Sequence, residues 1–241
     1  LWDKSFTTLE EAVNQGYVSE EAIDQSVRLV LRLKFSLGLF ENRFVDEGNV
    51  LTVVGTEETR QKNLQVAQES IVLLKNERVL PLSKSVRKIA VIGPNAHSVY
   101  NLLGDYTANQ KDGKIKTIYE AIRDQATDIE VHYAKGCGIL DESKDGFAEA
   151  VALAEQSDVV ILAVGGSSAH NFDMKFDKNG AAILDDQQPS DMDCGEGVDV
   201  ADLKLGGVQE QLIETIAAVG KPTIGVVIQG RPYAIESLVD A

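Results

Sequence analysis

Residues 158–165, DVVILAVG, read as a β-strand with no polar side, because every position from Val159 to Val164 is apolar. A strand with one face in water alternates polar and apolar residues. An unbroken Val/Ile/Leu run instead fits a strand covered by helices on both faces of a parallel sheet. The same pattern recurs at 88–93 (KIAVIG) and 223–229 (TIGVVIQ). A weaker run at 129–133 (IEVHY) predicts a strand nearer a sheet edge. Helical periods fall between these runs, at about 117–126, 146–156 and 207–219. Strands alternating with helices build βαβ units with right-handed crossovers. The expected fold class is therefore α/β, a largely parallel sheet flanked by helices.

Toward the N-terminus the pattern changes. Residues 1–40 predict two helices. Thr8-Leu9-Glu10-Glu11 has the form of a capping box, with Gly16 as the stop. Ser19 caps the second helix, Glu20 and Glu21 fill its first turn, and Arg28, Arg32 and Lys34 follow, in the order the helix dipole favours. Ile23, Val27, Val30, Leu31 and Leu37 make its apolar stripe, and Gly38 ends it. These helices have no sheet of their own to cover, so they read as the tail of a preceding domain. Residues 41–59 read as a linker, in which 50–54 (VLTVV) has the apolar content of an edge strand. From Arg60 a helix carrying Leu64, Ala67, Ile71 and Leu74 opens the α/β domain, assigned to 60–241.

Composition narrows the function. The chain has 241 residues, 44% hydrophobic and 25% charged, with a formal net charge of −15. That acidic balance repels phosphate backbones and anionic membranes, which argues against nucleic acid or a membrane surface as partner. No apolar stretch approaches the ~20 residues of a membrane-spanning helix. The chain begins at Leu1 with no signal-like segment and reads as a piece of a longer precursor. Cys137 and Cys194 show no metal-like spacing and read as two thiols, a single disulfide being the alternative. His97, His132 and His170 are too scattered for a zinc motif, so neither metal nor cofactor is expected.

In open α/β sheets ligands bind beyond the carboxyl ends of the strands. Those ends carry 93–97 (GPNAH), 165–168 (GGSS) and 230–232 (GRP). The loop from Gly166 to Gly206 has no regular period, and a stretch that long inside a domain is usually functional or disordered. It contains Asp173, Asp177, Asp185, Asp186, Asp191, Asp193, Glu196, Asp199 and Asp202 against Lys175, Lys178 and Lys204. Such a loop can be solvated, can hold calcium, or can raise the pKa of one carboxylate until it serves as a general acid. Glu196 stands between Gly195 and Gly197, where the backbone can bring it close to a ligand, and is the candidate acid. The glycine-serine turn 165–168 lacks the spacing of a phosphate loop. His97 reads as either a ligand contact or a structural residue, and Arg231 as the partner of an acidic loop or a helix cap.

Taken in order, 68–76 (QESIVLLKN), 80–82 (LPL), 89–96 (IAVIGPNA), 103–106 (LGDY), 135–137 (KGC), 157–165 and 195–197 (GEG) resemble the second domain of family 3 glycoside hydrolases. Leu205, Gln209, Leu212-Ile213, Gly220-Lys221-Pro222 and Gly230-Arg231-Pro232 continue the resemblance. Val18-Ser19-Glu20, Ile23-Asp24, Ser26-Val27-Arg28 and Leu37-Gly38-Leu39-Phe40 are similar to the closing helices of that family's first domain. The resemblance implies that residues 1–40 end a (β/α)8-like domain bearing an aspartate nucleophile. It implies that Glu196 is the acid/base of a retaining, exo-acting β-glycosidase, the two carboxyls standing about 5–5.5 Å apart. The substrate class is then a small oligosaccharide or β-glycoside, and the compartment implied is periplasmic or extracellular. The sandwich is expected to be cut short at Ala241. Two positions depart from the family pattern. An aromatic and an arginine that usually flank the aspartate are Val198 and Val200 here, and a proline before the glutamine is replaced in Leu205-Gly206-Gly207. Those departures leave a non-catalytic carbohydrate-binding or regulatory α/β module as the alternative.

Overall fold

The computed structural model describes residues 4–104, 106–107, 113–168, 191–195 and 198–240. The chain divides into two units, residues 1–74 and 75–241.

The first unit is helical: α1 (Leu9–Asn14), α2 (Glu20–Ser36), α3 (Val50–Val53) and α4 (Glu57–Ser70). Ser19 caps α2 as expected, its side chain accepting from the Ala22 N–H. Gly38 sits at φ +66, and the N–H groups of Gly38 and Leu39 reach back to the carbonyls of Phe35 and Lys34. That pair of bonds is a Schellman ending. Three expectations are corrected here. Thr8 makes no side-chain cap bond, because it closes a 3-10 turn (Lys4–Thr8) with φ −101 and ψ 0 instead of the extended backbone a cap requires. Residues 50–53 are a helical turn, not a strand. Helix α4 stops at Ser70, and Ile71 takes φ −78 and ψ 121, so Ile71 and Leu74 are not on the helix. Adjacent β-branched Ile71 and Val72 favour that extended backbone.

The second unit is built on β1 (Lys88–Ile92), β2 (Glu130–Ala134), β3 (Val159–Gly165) and β4 (Thr223–Ile228). All neighbours are parallel and the order is β2-β1-β3-β4. Ile89 stands opposite Val131 and Val159, and Gly165 opposite Ile228. Between the strands lie α5 (Ile118–Gln125), α6 (Phe147–Glu155) and α7 (Gln209–Ala217), with α8 (Glu236–Val239) after β4. The period of two along each strand sorts the core into two layers. Ala90, Ile92, Val160, Leu162 and Val164 face α6 and α7, packing with Ala150, Ala154, Leu212, Ile213 and Ile216. Ile89, Val91, Val159, Ile161 and Ala163 face the other way, with Ile118, Tyr119 and Ile122 of α5. Every residue of β3 is buried, as its unbroken apolar run predicts. Strand β2 is an edge, as expected. Strand β4 is less enclosed than its sequence suggests, with Gly225 exposed, because among the described residues it pairs only with β3.

Strand β1 ends at Ile92 while β3 runs on to Gly165, so on the β1 side the last backbone groups of β3 have no strand beside them among the described residues. The Gln209 side chain takes that place. Its Oε1 accepts the Gly165 N–H (2.9 Å), and its Nε2 donates to the carbonyls of Gly165 (2.9 Å) and Ile139 (3.1 Å). Gln209 is fully buried, and only this orientation of its amide serves all three groups. The 206–208 turn that precedes it lies flat on the 139–141 segment. A Cβ on Gly207 would come within 2.5 Å of the Asp141 carbonyl. At the opposite edge of the sheet, Asp158 Oδ2 accepts the N–H groups of Arg87 (2.8 Å) and Lys88 (2.9 Å).

Gln209→Leu keeps the volume but strands three buried backbone groups, and lost hydrogen bonds of that kind cost about 1–3 kcal/mol each before relaxation. Urea titration should show a loss of roughly 2–4 kcal/mol. The two hydrogen bonds from Arg87 and Lys88 hold the Asp158 carboxyl below the usual carboxylate range. A depressed folded-state pKa contributes stability above the unfolded value, about 3.9, and loses it as pH falls through the folded value. The stability advantage of the native chain over Asp158→Asn should therefore be constant near neutrality and shrink on acidification below about pH 4.

Candidate functional site

The sheet order places β1 and β3 side by side with their connections leaving in opposite directions, β1 toward β2 and β3 toward β4. In open α/β sheets such a reversal marks the place, beyond the carboxyl ends of the strands, where ligands bind. Asn95 spans it. Its N–H donates to the Ala163 carbonyl (3.3 Å), and its Nδ2 donates to the Gly166 carbonyl (3.0 Å). The side chain is fully buried.

Next to this bridge lies a second buried polar knot. Asp193, 2% exposed, accepts the Ser167 N–H on Oδ1 (2.8 Å) and the Tyr233 hydroxyl on Oδ2. The Asp193 N–H returns to the Ser167 carbonyl (3.1 Å). Gly166 makes this possible, since a Cβ there would lie 1.9 Å from the Tyr233 hydroxyl and 2.4 Å from Asp193 Oδ1. Burial first, and the bond to Asp193 second, push the Tyr233 phenol well above its ordinary value. It is therefore a permanent donor at physiological pH. Burial, then the Asp193 charge, also raises the Cys194 thiol. Burial pushes Cys137 up to about 12. Both cysteines are buried free thiols, and raised pKa values leave them protonated and poorly nucleophilic.

The segment after 198 runs along the β4 exit. Arg231 Nη1 pairs with Asp199 Oδ1 at 2.5 Å, which raises the guanidinium pKa and lowers that of the carboxyl. Lys204 and Ala234 form a parallel bridge, and the Ala234 N–H donates to the Leu203 carbonyl (2.8 Å). Arg231 is thus the partner of the acidic loop. His97 takes the structural reading: its Nδ1 is 2.8 Å from Thr117 Oγ1, and its ring meets Tyr119 and Tyr133 edge-on.

Glu196 itself, with Gly197, lies outside the described residues, as do Asp173, Asp177, Asp185 and Asp186. The four acidic residues of the loop that are described serve protein donors. Asp191 accepts the N–H groups of Ile139 (3.0 Å) and Leu140 (2.7 Å), Asp202 that of Lys204 (3.1 Å), and Asp193 and Asp199 act as above. Among the described residues no group of three or more His, Cys, Asp or Glu side chains could hold a metal ion. Sequence reading did not single out Asn95, Asp193 or Tyr233 as site residues. Asn95 lies three residues past the run that ends at Ile92, where a strand leaves unpaired backbone groups, whereas Asp193 and Tyr233 carry no comparable signal.

Residues 71–241 match the glycosyl hydrolase family 3 C-terminal domain. A β-xylosidase of Formosa agariphila is 38% identical over 232 residues, covering 90% of this chain and 28% of that protein. The structure of a β-glucosidase involved in saponin metabolism from intestinal bacteria superposes with a TM-score of 0.75 at 32% identity, over 93% of this chain and 32% of that one. An exo-β-xylosidase of the same family, solved with a xylobiose aziridine activity-based probe, gives 0.72 at 27%, over 96% of this chain and 27% of that one. The chain thus spans about a quarter to a third of the length of the relatives it matches. With residues 71–241 matching that C-terminal domain and built on a parallel sheet, the chain belongs to the family 3 glycoside hydrolases.

Proposed function

We propose that this chain supplies the general acid/base of a retaining, exo-acting β-glycosidase, with Glu196 as that residue. The observation that carries the reading is the pair of anchors at Asp193 and Asp199. They tie the chain on either side of Glu196 to the carboxyl-terminal edge of the sheet, the edge at which ligands of this architecture bind. The chemistry needs a carboxylic acid to protonate the departing sugar oxygen. It also needs a carboxylate nucleophile to form the glycosyl-enzyme, which water opens with the first residue acting as base. The nucleophile is assigned to a (β/α)8-like domain, and residues 1–40 to the last helices of that domain. Exposed apolar side chains on α2, among them Val27, Val30 and Leu31, suit helices made to pack on a larger body. Substrates are small β-linked oligosaccharides or β-glycosides. The β-xylosidase and β-glucosidase relatives support both xylose and glucose as the terminal sugar.

Glu196→Ala, made in a protein that includes both domains, should lower kcat/KM for a disaccharide roughly 100- to 10,000-fold, the range of general acid catalysis. An aryl glycoside with an activated leaving group should lose far less in that parameter, because its departure needs little proton transfer. Azide should restore turnover by attacking the glycosyl-enzyme in place of base-assisted water. Unchanged disaccharide hydrolysis would refute the assignment. Sugar binding without turnover by the two-domain protein would favour the carbohydrate-binding module suggested by Val198 and Val200.

The 241-residue chain alone has one of the two carboxyls that the double displacement requires. It should show negligible release of nitrophenol from an aryl β-glucoside or β-xyloside, and measurable turnover would contradict the division of labour proposed here.

A further inference from the structure

The β4 exit touches the segment around Glu196 on both sides. Tyr233 reaches Asp193, three residues before Glu196 in the chain, and Arg231 reaches Asp199, three residues after it. The two contacts differ in kind. Asp193 and Tyr233 are buried, whereas Asp199 is 86% exposed in its side chain and Arg231 25%. Between them the Val198 N–H donates to the Gly195 carbonyl (3.2 Å), and a Cβ on Gly230 would lie 3.7 Å from Cys194 Sγ. The same exit segment continues into the Ala234 N–H bond to Leu203.

We propose that residues 231–233 form a positioning clamp for the acid/base loop, with Tyr233 acting through Asp193 as its buried jaw and Arg231 acting through Asp199 as its exposed jaw. This inference rests on the assignment of Glu196 as acid/base. Neither Tyr233 nor Arg231 is required to touch the substrate. Their effect is to limit where the chain between residues 193 and 199 can go. An acid displaced by an ångström from the leaving oxygen loses much of its effect, so positioning is read in the step that needs the proton. Tyr233 is suited to the role because burial keeps its hydroxyl protonated and committed to one acceptor. Gly166 is suited to it because any side chain there would push Tyr233 and Asp193 of the buried jaw apart.

The test uses the two-domain protein with Tyr233→Phe and Arg231→Gln, each beside Glu196→Ala. Tyr233→Phe removes one hydroxyl and keeps the ring. It should lower kcat/KM for a disaccharide roughly 10- to 100-fold, while an activated aryl glycoside stays within about 3-fold. The basic limb of the pH profile for the disaccharide should shift, since the acid would titrate in a changed environment. Arg231→Gln should show the same selectivity at about 3-fold, the smaller effect of an exposed ion pair. It carries the test if Tyr233→Phe fails to fold. Equal losses on the two substrates, or no loss on either, in a folded variant would overturn the clamp while a selective Glu196→Ala result leaves the acid assignment standing. A Glu196→Ala enzyme that still cleaves the disaccharide normally would overturn both.

Discussion

A parallel sheet brings all its strands to an end at one edge, and every backbone N–H and C=O left unpaired there must find a partner. The edge cannot simply face water here, because β3 is buried along its whole length. Side chains complete it. Gln209 supplies both halves of a missing strand neighbour for Gly165, Asn95 binds the Ala163 and Gly166 carbonyls, and Asp193 takes the Ser167 N–H. All three are at most 2% exposed. Removing any one leaves a desolvated backbone group in a low-dielectric setting, so the arrangement is held by penalties for breaking it more than by the net strength of its bonds. The edge at which ligands of open α/β sheets bind is therefore held here by buried side-chain hydrogen bonds.

The two sides of the loop at 193–199 are fixed by interactions of unequal weight. The Asp193–Tyr233 contact is a charge-assisted hydrogen bond shielded from solvent, and no salt in the medium screens it strongly. The Asp199–Arg231 contact lies at the surface, where water and ions compete. One end of the segment is thus set rigidly and the other guided. For the acid/base role proposed for Glu196, the buried contact supplies the stronger constraint on the chain that leads to it.

Much of this was legible in the sequence. The unbroken runs at 88–93 and 158–165 identify central parallel strands because only double-sided burial removes polar alternation, and the weaker run at 129–133 identifies an edge. The strand ends then point to the right loops. Where reading failed, the cause is local. Thr8 has the residues of a capping box without the extended backbone, and 50–53 has strand composition inside a helical turn, because four residues give no period to read. Residues 223–229 look as buried as β3 in sequence, but burial depends on what lies beside a strand, which composition does not encode. The knot at the sheet edge was hidden for a similar reason. Asp193 stands among many carboxylates, and nothing in the chain marks it as the one that meets a tyrosine forty residues away.

The departures at Val198 and Val200 look different once the partners are known. In sequence, Arg231 is read as the partner of an acidic loop or a helix cap, and Val200 puts no cation next to Asp199. In space, Asp199 has one, from 230–232 at the end of β4. A guanidinium from the next residue would neutralise the carboxylate but tie the loop only to itself. One from another segment neutralises it and also fixes the loop to the sheet, because the pair closes a long stretch of chain. Charge alone is served by either arrangement, whereas position is served only by the second. The valines therefore remove a local charge and an aromatic surface without removing the long-range tie. Two of the parts of the family pattern kept here meet in this way: the Gly-Arg-Pro turn and the tyrosine after it hold Asp199 and Asp193, which flank the glycine-bounded glutamate in sequence.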